Sequence, residues 1–458
     1  MNTFSQTGLL PALVTAVDSL GYETMTPIQQ ASLPPILDGR DVIAQARTGS
    51  GKTAAFALGL LQKIDVESIR LQALVLCPTR ELADQVSKAI RRFAVNIPNV
   101  KLLTLCGGMP LGPQLASLEH DPHIVVGTPG RVQEHLKRGS LHGGGIKVLV
   151  LDEADRMLDM GFEEAMDDIV KRIAKHHQTL LFSATYPDSI RAVSARMQQD
   201  PVSVSVEETH DETSIEQRFV EAEPPVKADV LSRILTHEKP EAVLVFVNMR
   251  KDTEAVAAEL DRRGFSALAL HGDLDQRDRD EVLVRFANRS CTVLVATDVA
   301  ARGLDIADLP LVVSYDIAHD PDTHTHRVGR TGRAGATGLA ILLASSRELN
   351  KLRAIEERVG TPLGRYPAKP AGDGRKVLNL APMKTLVIDG GRKDKMRPGD
   401  ILGALTGEAG LDGKDIGKID VYATRAYVAI RRDLANKALE RLRAGKIKGR
   451  NFRVRPLG

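Results

Sequence analysis

Short apolar runs alternate with amphipathic segments of helical length through the first 365 residues of the chain. The apolar runs predict β-strands, and the segments between them predict helices. The predicted strands lie at residues 41–44, 74–76, 124–126, 148–151 and 180–182, and again at 243–246, 293–296, 311–313 and 339–343. This alternation is typical of parallel sheets that are covered by helices on both faces.

Two breaks in the pattern predict the domain organisation. The polar stretch 207–213 separates two α/β units, which we place at residues 1–206 and 214–364. A segment rich in Pro, Gly and basic residues begins at Arg365, so we interpret residues 365–382 as a linker. The remaining residues, 383–458, form a third domain with a different pattern.

The third domain reads as strand, helix, two strands, helix and strand. The predicted strands are 385–388, 419–422, 426–430 and 452–455, and the predicted helices are 398–409 and 434–442. This βαββαβ order is that of the RNA-recognition-motif (RRM) fold. An RRM usually stacks bases on aromatic side chains of its sheet, but here Val387 occupies the usual first-strand position and only Tyr427 remains on the third strand.

Composition adds a charge asymmetry to this picture. The 458 residues are 43% hydrophobic and 26% charged, as in soluble globular proteins, and no apolar run is long enough for a membrane span, so we expect a cytoplasmic protein without a membrane partner. Residues 376–458 contain 19 Lys and Arg against 9 Asp and Glu, although the whole chain carries a net charge of only +3. This distribution indicates a polyanion partner for the C-terminal end. The three cysteines lack metal-ligand spacing and are expected to be buried.

Two sequence motifs indicate nucleotide chemistry. ARTGSGKT at 46–53 follows a predicted strand and precedes a predicted helix, as a phosphate-binding loop does. In such a loop Lys52 contacts the β- and γ-phosphates and the Thr53 hydroxyl holds Mg²⁺. VLVLDEAD at 148–155 ends an apolar strand with Asp152, near the metal, and Glu153, beside the attacking water. A glycine-rich turn without nucleotide is the alternative for the first motif alone, and the second motif argues against it.

Further motifs follow in order along the chain. They are GYETMTPIQ (21–29), PTREL (78–82), Gly107-Gly108, TPGR (128–131), SAT (183–185), VFVN (245–248), ATDVAARGLD (296–305) and HRVGRTGR (326–333). Together with the first two motifs they resemble the DEAD-box family of ATP-dependent RNA helicases over about residues 1 to 365. The resemblance implies an α/β fold of two tandem RecA-like parallel-sheet domains, followed here by the small α+β RRM-like domain.

The resemblance also implies an ATP site that draws on both α/β units. An amide such as that of Gln29 can pair with N6 and N7 of adenine, which favours ATP over GTP. Phe4 and Tyr22 are expected around the base, with ordinary core packing as the alternative. Arg330 and Arg333 resemble arginine fingers that act on the transferring phosphoryl group. The other predicted ATP-binding residues are Thr48, Gly49, Ser50, Gly51, Gly303 and Asp305.

RNA is the second predicted ligand of these two units. Residues at strand ends would hold its phosphates and sugars without reading bases. Taken singly, an Arg or Thr at a strand end is more often an exposed loop residue or a helix cap, and only the joint series of motifs favours RNA contacts. Asp155, Ser183, Thr185 and His326 are expected to couple the ATP site to RNA. For His271, a helix-cap or core role and a functional role are equal alternatives. The predicted core RNA contacts are Pro78, Thr79, Arg80, Gly108, Thr128, Gly130, Arg131 and Thr297.

Basic loops are the predicted RNA contacts of the third domain. They hold Arg392, Lys393, Lys395 and Arg397 in one loop and Lys446, Lys448 and Arg450 in another. GDILGALTGEAGL and KIKGRNFRVR make residues 383–458 similar to the C-terminal RNA-binding domain of a bacterial ribosomal-RNA helicase of the same family. That resemblance implies a hairpin of the peptidyl-transferase region in large-subunit ribosomal RNA, and pre-ribosomal particles, as targets.

We therefore interpret the chain as an RNA-dependent ATPase that uses ATP and Mg²⁺ to separate short RNA duplexes locally. An ATP-gated RNA clamp, which holds RNA as an assembly platform, shares the same motifs and is the alternative. A DNA helicase fits less well, because the motif series matches RNA-acting relatives. The sequence does not indicate an oligomeric state.

Overall fold

The computed structural model describes residues 3–46, 49–206, 215–301, 309–332, 337–367, 380–407 and 410–457. Four predicted site residues, Thr48, Gly303, Asp305 and Arg333, lie outside these ranges. The described residues divide into two compact units, one before residue 207 and one from residue 215 onward.

The first unit is built on a parallel sheet. Within the described residues its strands pair in the order β3-β4-β2-β5-β6-β1-β7, and every pairing is parallel. The strands are β1 Val42–Gln45, β2 Ala73–Leu76, β3 Leu102–Leu105, β4 Ile124–Gly127, β5 Val148–Leu151, β6 Gln178–Ser183 and β7 Val202–Ser205. The helices are α1 Pro11–Ser19, α2 Pro27–Leu37, α3 Lys52–Gln62, α4 Arg80–Phe93, α5 Leu111–Ser117, α6 Pro129–Arg138, α7 Ala154–Asp159, α8 Glu163–Arg172 and α9 Asp188–Met197.

Both faces of this sheet are covered. Alternate residues of each strand point to opposite faces, so Val148 and Val150 belong to one apolar cluster and Leu149 and Leu151 to the other. All four side chains are buried, which explains the continuous apolar run that the sequence shows at this strand. The first cluster contains helices α2, α3 and α4, and the second contains α6, α8 and α9.

The second unit begins with another parallel sheet. Its described strands pair in the order β10-β11-β9-β12-β13-β8-β14, again with parallel pairing throughout. The strands are β8 Ile215–Glu221, β9 Val243–Phe246, β10 Ala267–Leu270, β11 Val293–Ala296, β12 Leu311–Ser314, β13 Gly338–Ala344 and β14 Gly364–Arg365. The helices are α10 Lys227–Glu238, α11 Arg250–Arg262, α12 Gln276–Ala287, α13 Asp298–Ala301, α14 Pro321–Val328 and α15 Leu349–Val359. The two predicted parallel-sheet domains are thus confirmed.

A four-stranded antiparallel sheet completes the second unit, in the order β16-β17-β15-β18. Its elements are β15 Met383–Ile388, α16 Pro398–Thr406, β16 Ile416–Val421, β17 Ala426–Arg431, α17 Ala435–Ala444 and β18 Val454–Pro456. The predicted βαββαβ order is confirmed, with the last strand starting two residues later than expected. Helices α16 and α17 cover one face, where Ile401 and Leu442 pack with Leu386 and Val428.

The other face of this small sheet packs against helix α12 of the preceding parallel-sheet domain. Val387 and Tyr427 form an apolar cluster with Val284 of α12, and both sheet residues are almost fully buried. Polar contacts surround the cluster: the Asn288 amide donates to the Thr385 hydroxyl at 2.8 Å, and Arg425 lies 3.3 Å from the Glu281 carboxylate. The face on which an RRM stacks bases is therefore occupied by protein.

A buried arginine connects three motif segments of the second unit. The Arg327 guanidinium, 1% exposed, donates to the Asp298 carboxylate at 2.7 Å, to the Asn248 side-chain oxygen at 2.7 Å and to the Asp316 carbonyl at 2.6 Å. These partners follow β11, β9 and β12, so one side chain fixes the ends of three adjacent strands. Burying a guanidinium is unfavourable unless its donors are satisfied, which the partners achieve here.

Histidine 324, one helical turn before Arg327, is also buried. Burial, with a smaller contribution from the Arg327 charge, lowers the pKa of His324 to about 4. Its Nε2 lies 2.9 Å from the Gln217 side-chain oxygen, a contact that the neutral ring makes as a donor. The folded state thus holds a neutral imidazole that the unfolded chain would protonate near pH 6.5.

We predict that His324 destabilises the second unit in acid. Because its folded pKa is lowered, its contribution to stability is lost as pH falls from about 6.5 toward 4, amounting to roughly 2 kcal/mol at pH 5. His324→Gln should reduce the difference in unfolding free energy between pH 7.5 and pH 5 by that amount, measured by urea denaturation. His237→Gln, at an exposed position of the same unit, is the control. An unchanged pH dependence in His324→Gln would contradict the prediction.

Candidate nucleotide and RNA sites

The phosphate-binding loop joins β1 to the start of α3. Gly49 and Gly51 have φ angles of 92° and 95°, a conformation that side chains disfavour. A Cβ at residue 51 would also collide with the Gln29 amide, so this position requires glycine. Lys52 is buried, and its ammonium donates to the Ala46 carbonyl at 2.7 Å. The ammonium of Lys52, the first residue of α3, therefore lies at the residue that follows β1, near a helix N-terminus, where an anion is favoured.

Helix α2 braces this loop. The Gln29 side chain accepts from the Thr26 backbone N–H at 2.9 Å and donates to the Gly51 carbonyl at 3.1 Å. The Thr26 hydroxyl donates to the Ser50 carbonyl at 2.8 Å. Both ends of the Gln29 amide are thus engaged within the protein, and reading of adenine by this residue stays a prediction.

The two aromatic residues predicted at the base differ in exposure. Phe4 is 3% exposed and meets Tyr22 in a T-shaped contact, with ring centroids 6.4 Å apart. Tyr22 is half-buried and also contacts Phe93, at 5.6 Å. The position of Phe4 agrees with the alternative of core packing, whereas Tyr22 retains exposed surface.

The acidic motif follows β5 at the same edge of the sheet. Burial raises the pKa of Asp152 to about 7, the nearby Lys52 charge opposes this rise, and Glu153 and Asp155 reinforce it. Glu153 has a φ angle of 50°, an uncommon conformation for a residue with a side chain. Such strain clusters at functional sites. The Glu153 carboxylate lies 3.3 Å from buried Arg156. This contact was not predicted from the sequence, although the spacing of three residues, about one helical turn, was a signal for it.

These residues fit a divalent cation that also binds phosphate. A buried acid with a raised pKa is the group that a cation would keep ionised. The described residues contain no group of three or more His, Cys, Asp and Glu that could hold a metal. In proteins, Mg²⁺ is commonly held by one or two protein ligands together with substrate phosphates and water. Thr53 and Asp152 are the residues that would hold it.

Asp155 joins the acidic motif to the segment after β6. Its carboxylate accepts hydrogen bonds from the Ala184 N–H at 3.2 Å, the Thr185 N–H at 3.0 Å and the Thr185 hydroxyl at 2.9 Å. Thr185, one of the residues expected to couple the ATP site to RNA, therefore bonds directly to Asp155. Ser183 makes no such contact: its buried hydroxyl has no hydrogen-bond partner within the described residues.

Three of the predicted RNA-contact segments follow β2, β3 and β4, which are neighbours in the sheet. The Thr128 hydroxyl accepts from the Gly107 N–H at 3.2 Å, and Arg131 donates to the Met109 carbonyl at 3.0 Å. The Arg80 guanidinium lies against Gly108, where a Cβ would collide with it. The Thr79 hydroxyl accepts from the Leu82 N–H and caps α4. Thr79 thus has the helix-cap role that was the alternative to RNA contact. Pro78 and Gly130 lie in the same segments.

The corresponding residues of the second unit are partly described. Thr297 follows β11, and its hydroxyl accepts from the Ala300 N–H at 3.4 Å. Arg330 is 5% exposed, and its carbonyl accepts from the Leu309 N–H. His326 is half-buried in α14, and buried His271 lies 2.9 Å from the Glu254 carboxylate. Arg327 was not among the residues predicted from the sequence, although it lies inside the HRVGRTGR motif.

The two basic loops of the third domain lie together. Arg392 donates from its N–H to the Tyr422 carbonyl at 2.8 Å and from its side chain to the Val421 carbonyl at 2.9 Å. Lys448 donates to the Lys395 carbonyl at 2.8 Å, which ties the second loop to the first. We call residues 391–397 and 446–450 the basic rim. Its predicted contacts Lys393, Arg397, Lys446 and Arg450 are all exposed.

The lengths and apolar content of the helices bear on membrane spanning. Among the described helices, none is both long and apolar enough to cross a membrane.

The fold and the loops at the sheet edges define a class of protein, and comparisons with known proteins agree. Residues 26–193 match the DEAD/DEAH box helicase family, residues 226–335 the helicase conserved C-terminal domain, and residues 385–456 the DbpA RNA binding domain. The chain belongs to the DEAD-box family of ATP-dependent RNA helicases, which are RNA-dependent ATPases.

Individual relatives make the resemblance more specific. The chain is 54% identical to the ATP-dependent RNA helicase DbpA of Escherichia coli over the full length of both proteins. It is 45% identical to the ATP-dependent RNA helicase CshA of Listeria monocytogenes over 78% of this chain and 69% of that protein. Among solved structures, Saccharomyces cerevisiae Dbp5 bound to RNA and ADP BeF3 is 30% identical, with a TM-score of 0.74 over 81% of this chain and 96% of that one.

The asymmetry between Thr185 and Ser183 gives a matched pair of variants. Thr185→Val should lower the stimulation of ATP hydrolysis by RNA by about 10-fold, because a hydrogen bond to a charged carboxylate is lost. Ser183→Ala should have a smaller effect, since its hydroxyl makes no bond to lose. Steady-state ATPase rates with and without RNA measure both. An equal or larger loss in Ser183→Ala would show that Thr185 is not the principal contact.

Proposed function

We propose that the chain separates short RNA duplexes locally and that its third domain directs it to large-subunit ribosomal RNA during ribosome assembly. The observation that carries the proposal is the basic rim, a single surface of exposed cationic side chains that belongs to a unit with helicase motifs. The similarity of residues 383–458 to the RNA-binding domain of a bacterial ribosomal-RNA helicase supports the target. We further propose residues 1–206, 214–364 and 383–458 as the three domains.

The first domain is proposed to bind and hydrolyse ATP. Lys52 contacts the phosphates, and Glu153 orients the attacking water from its strained position beside Arg156. Thr53 and Asp152 would hold Mg²⁺, which supplies positive charge to the phosphate oxygens when bound. Arginine-finger roles for Arg330 and Arg333 belong to the same proposal.

Coupling to RNA is proposed to pass through Asp155. Its carboxylate touches the segment after β6 with three hydrogen bonds, and it lies two residues from Glu153. A displacement of either segment would therefore also displace the other. The segments after β2, β3 and β4 would hold RNA backbone, which explains how the core could act on RNA of any sequence.

Duplex separation distinguishes the helicase from the clamp. We predict that the purified protein separates a short RNA duplex at a rate that rises with ATP turnover. Lys52→Ala should lower hydrolysis by at least about 10²-fold and abolish separation, because the buried ammonium is lost from the phosphate site. Lys88→Ala, at an exposed position of the same domain, should leave both activities unchanged.

The result that would favour the clamp is long-lived, ATP-dependent RNA binding without strand separation by the unmodified protein. Retained hydrolysis in Lys52→Ala would instead contradict the assignment of the ATP site. Comparing stimulation by RNA and DNA of matched sequence tests the choice of nucleic acid.

The basic rim is predicted to bind RNA through phosphates. Lys393→Ala combined with Lys446→Ala should weaken binding of a ribosomal hairpin and lower the slope of log affinity against log salt by roughly 0.7 to 0.9 per lost contact. Both side chains are exposed, so the fold should persist. Lys437→Ala, on the exposed side of α17, is the control. Titrations of nucleotide-free protein at several salt concentrations measure the slope.

An unchanged slope in the double variant would show that RNA does not contact the basic rim. These substitutions are preferable to deletion of residues 383–458, since deletion would also expose Val284 and the polar groups around it.

A further inference from the structure

The third domain contains three aromatic residues, Tyr422, Tyr427 and Phe452. Tyr427 is 5% exposed, because it faces helix α12. Phe452 is half-buried, and its ring lies where a Cβ at Gly390 would be. Tyr422 is 39% exposed, and within the described residues it is the only aromatic among the large apolar side chains with that much exposure.

The backbone of Tyr422 is fixed at the edge of the basic rim. Its N–H donates to the Arg425 carbonyl at 2.7 Å, closing the turn between β16 and β17. Its carbonyl accepts from the Arg392 N–H at 2.8 Å, which joins the turn to the first loop of the rim. The Lys393 N–H donates to the Ala423 carbonyl at 2.9 Å, one residue further along. The tyrosine and the cationic loop are therefore held as one piece of structure.

The ring of Tyr422 is braced as well. It meets the ring of Tyr427 at an interplanar angle of 87°, with centroids 5.6 Å apart. Tyr427 is itself fixed by Val284 and lies with its hydroxyl 3.5 Å from the Glu281 carboxylate. An aromatic ring that is ordered before binding loses little conformational entropy when a ligand stacks on it.

We propose that Tyr422 is a stacking platform for an unpaired base of the RNA whose phosphates the basic rim binds. The proposal rests on the proposed RNA binding by that rim. An unpaired nucleotide offers an aromatic face and a phosphate together, and the turn offers an aromatic ring beside Arg392 and Lys393. Because the sheet face is closed by α12, Tyr422 takes the place of the aromatic residues that an open RRM carries on its strands.

Stacking and charge can be separated by experiment. The probes are an RNA stem-loop with 2-aminopurine in its loop and a blunt RNA duplex of equal phosphate number, titrated into the full-length, nucleotide-free protein at several salt concentrations. Tyr422→Ala should weaken stem-loop binding by about 5- to 150-fold, leave duplex binding unchanged and leave the salt slope unchanged. Tyr422→Phe and Tyr422→Trp should retain stem-loop binding and the fluorescence change of 2-aminopurine.

Lys393→Ala is the charge control, and it should weaken both RNAs and lower the salt slope. Stem-loop binding by Tyr422→Ala at the affinity of the unmodified protein would overturn the proposal. So would an equal loss for both RNAs with a lower salt slope, since Tyr422 would then only shape the rim. If the unmodified protein bound neither RNA, the proposed function of the third domain would fail as well, which distinguishes the two failures.

Discussion

The packing of the small antiparallel sheet on helix α12 is the contact on which the proposed RNA-binding surface of the third domain depends. Alternate strand residues point to opposite faces, so each face of this sheet needs its own cover. Helices α16 and α17 bury Leu386 and Val428, while Val284 of α12 buries Val387 and Tyr427. With both faces occupied, the loops and turns at the rim remain as the exposed, cationic surface.

Parallel order imposes the corresponding constraint on the two large sheets. All strands of a parallel sheet end at the same edge, where ligands bind in open α/β folds. The phosphate loop, the acidic motif and the segment holding Thr185 follow β1, β5 and β6, which are adjacent in the first sheet. Motifs that are about 130 residues apart in sequence thereby meet. In the second sheet the same constraint lets Arg327 bond to segments after β9, β11 and β12.

Much of this was predictable from the sequence, since buried parallel strands are continuous apolar runs and each motif has fixed spacing. The fold class and the order of elements in the third domain followed from those patterns. The packing of α12 on the third domain's sheet was not predictable, because Val284 and Val387 are 103 residues apart and an apolar residue in the sequence does not indicate which other residue it packs against. The scarcity of aromatic residues on that sheet is the available signal, because a sheet face that is covered by protein needs no aromatic side chains for base stacking.

Side-chain partners inside the motifs were also beyond the sequence. A buried serine and a half-buried threonine in one SAT motif are chemically similar, yet only the Thr185 hydroxyl reaches the Asp155 carboxylate, because Ser183 is the last residue of β6 whereas Thr185 lies in the segment beyond it. The role of Arg327 likewise depends on burial and on the ends of several strands rather than on local sequence. Arg156 differs, because its partner Glu153 is only three residues away.

Crosslinking tests the closed sheet most directly. RNA containing photoactivatable thiouridine would be bound to the full-length protein, irradiated, and the attached peptides identified by mass spectrometry. We expect crosslinks in the third domain within residues 391–397, 421–425 and 446–450. Crosslinks concentrated on the faces of β15 and β17, at Val387 and Tyr427, would show that α12 leaves the sheet when RNA binds, and would contradict the assignment of RNA to the basic rim.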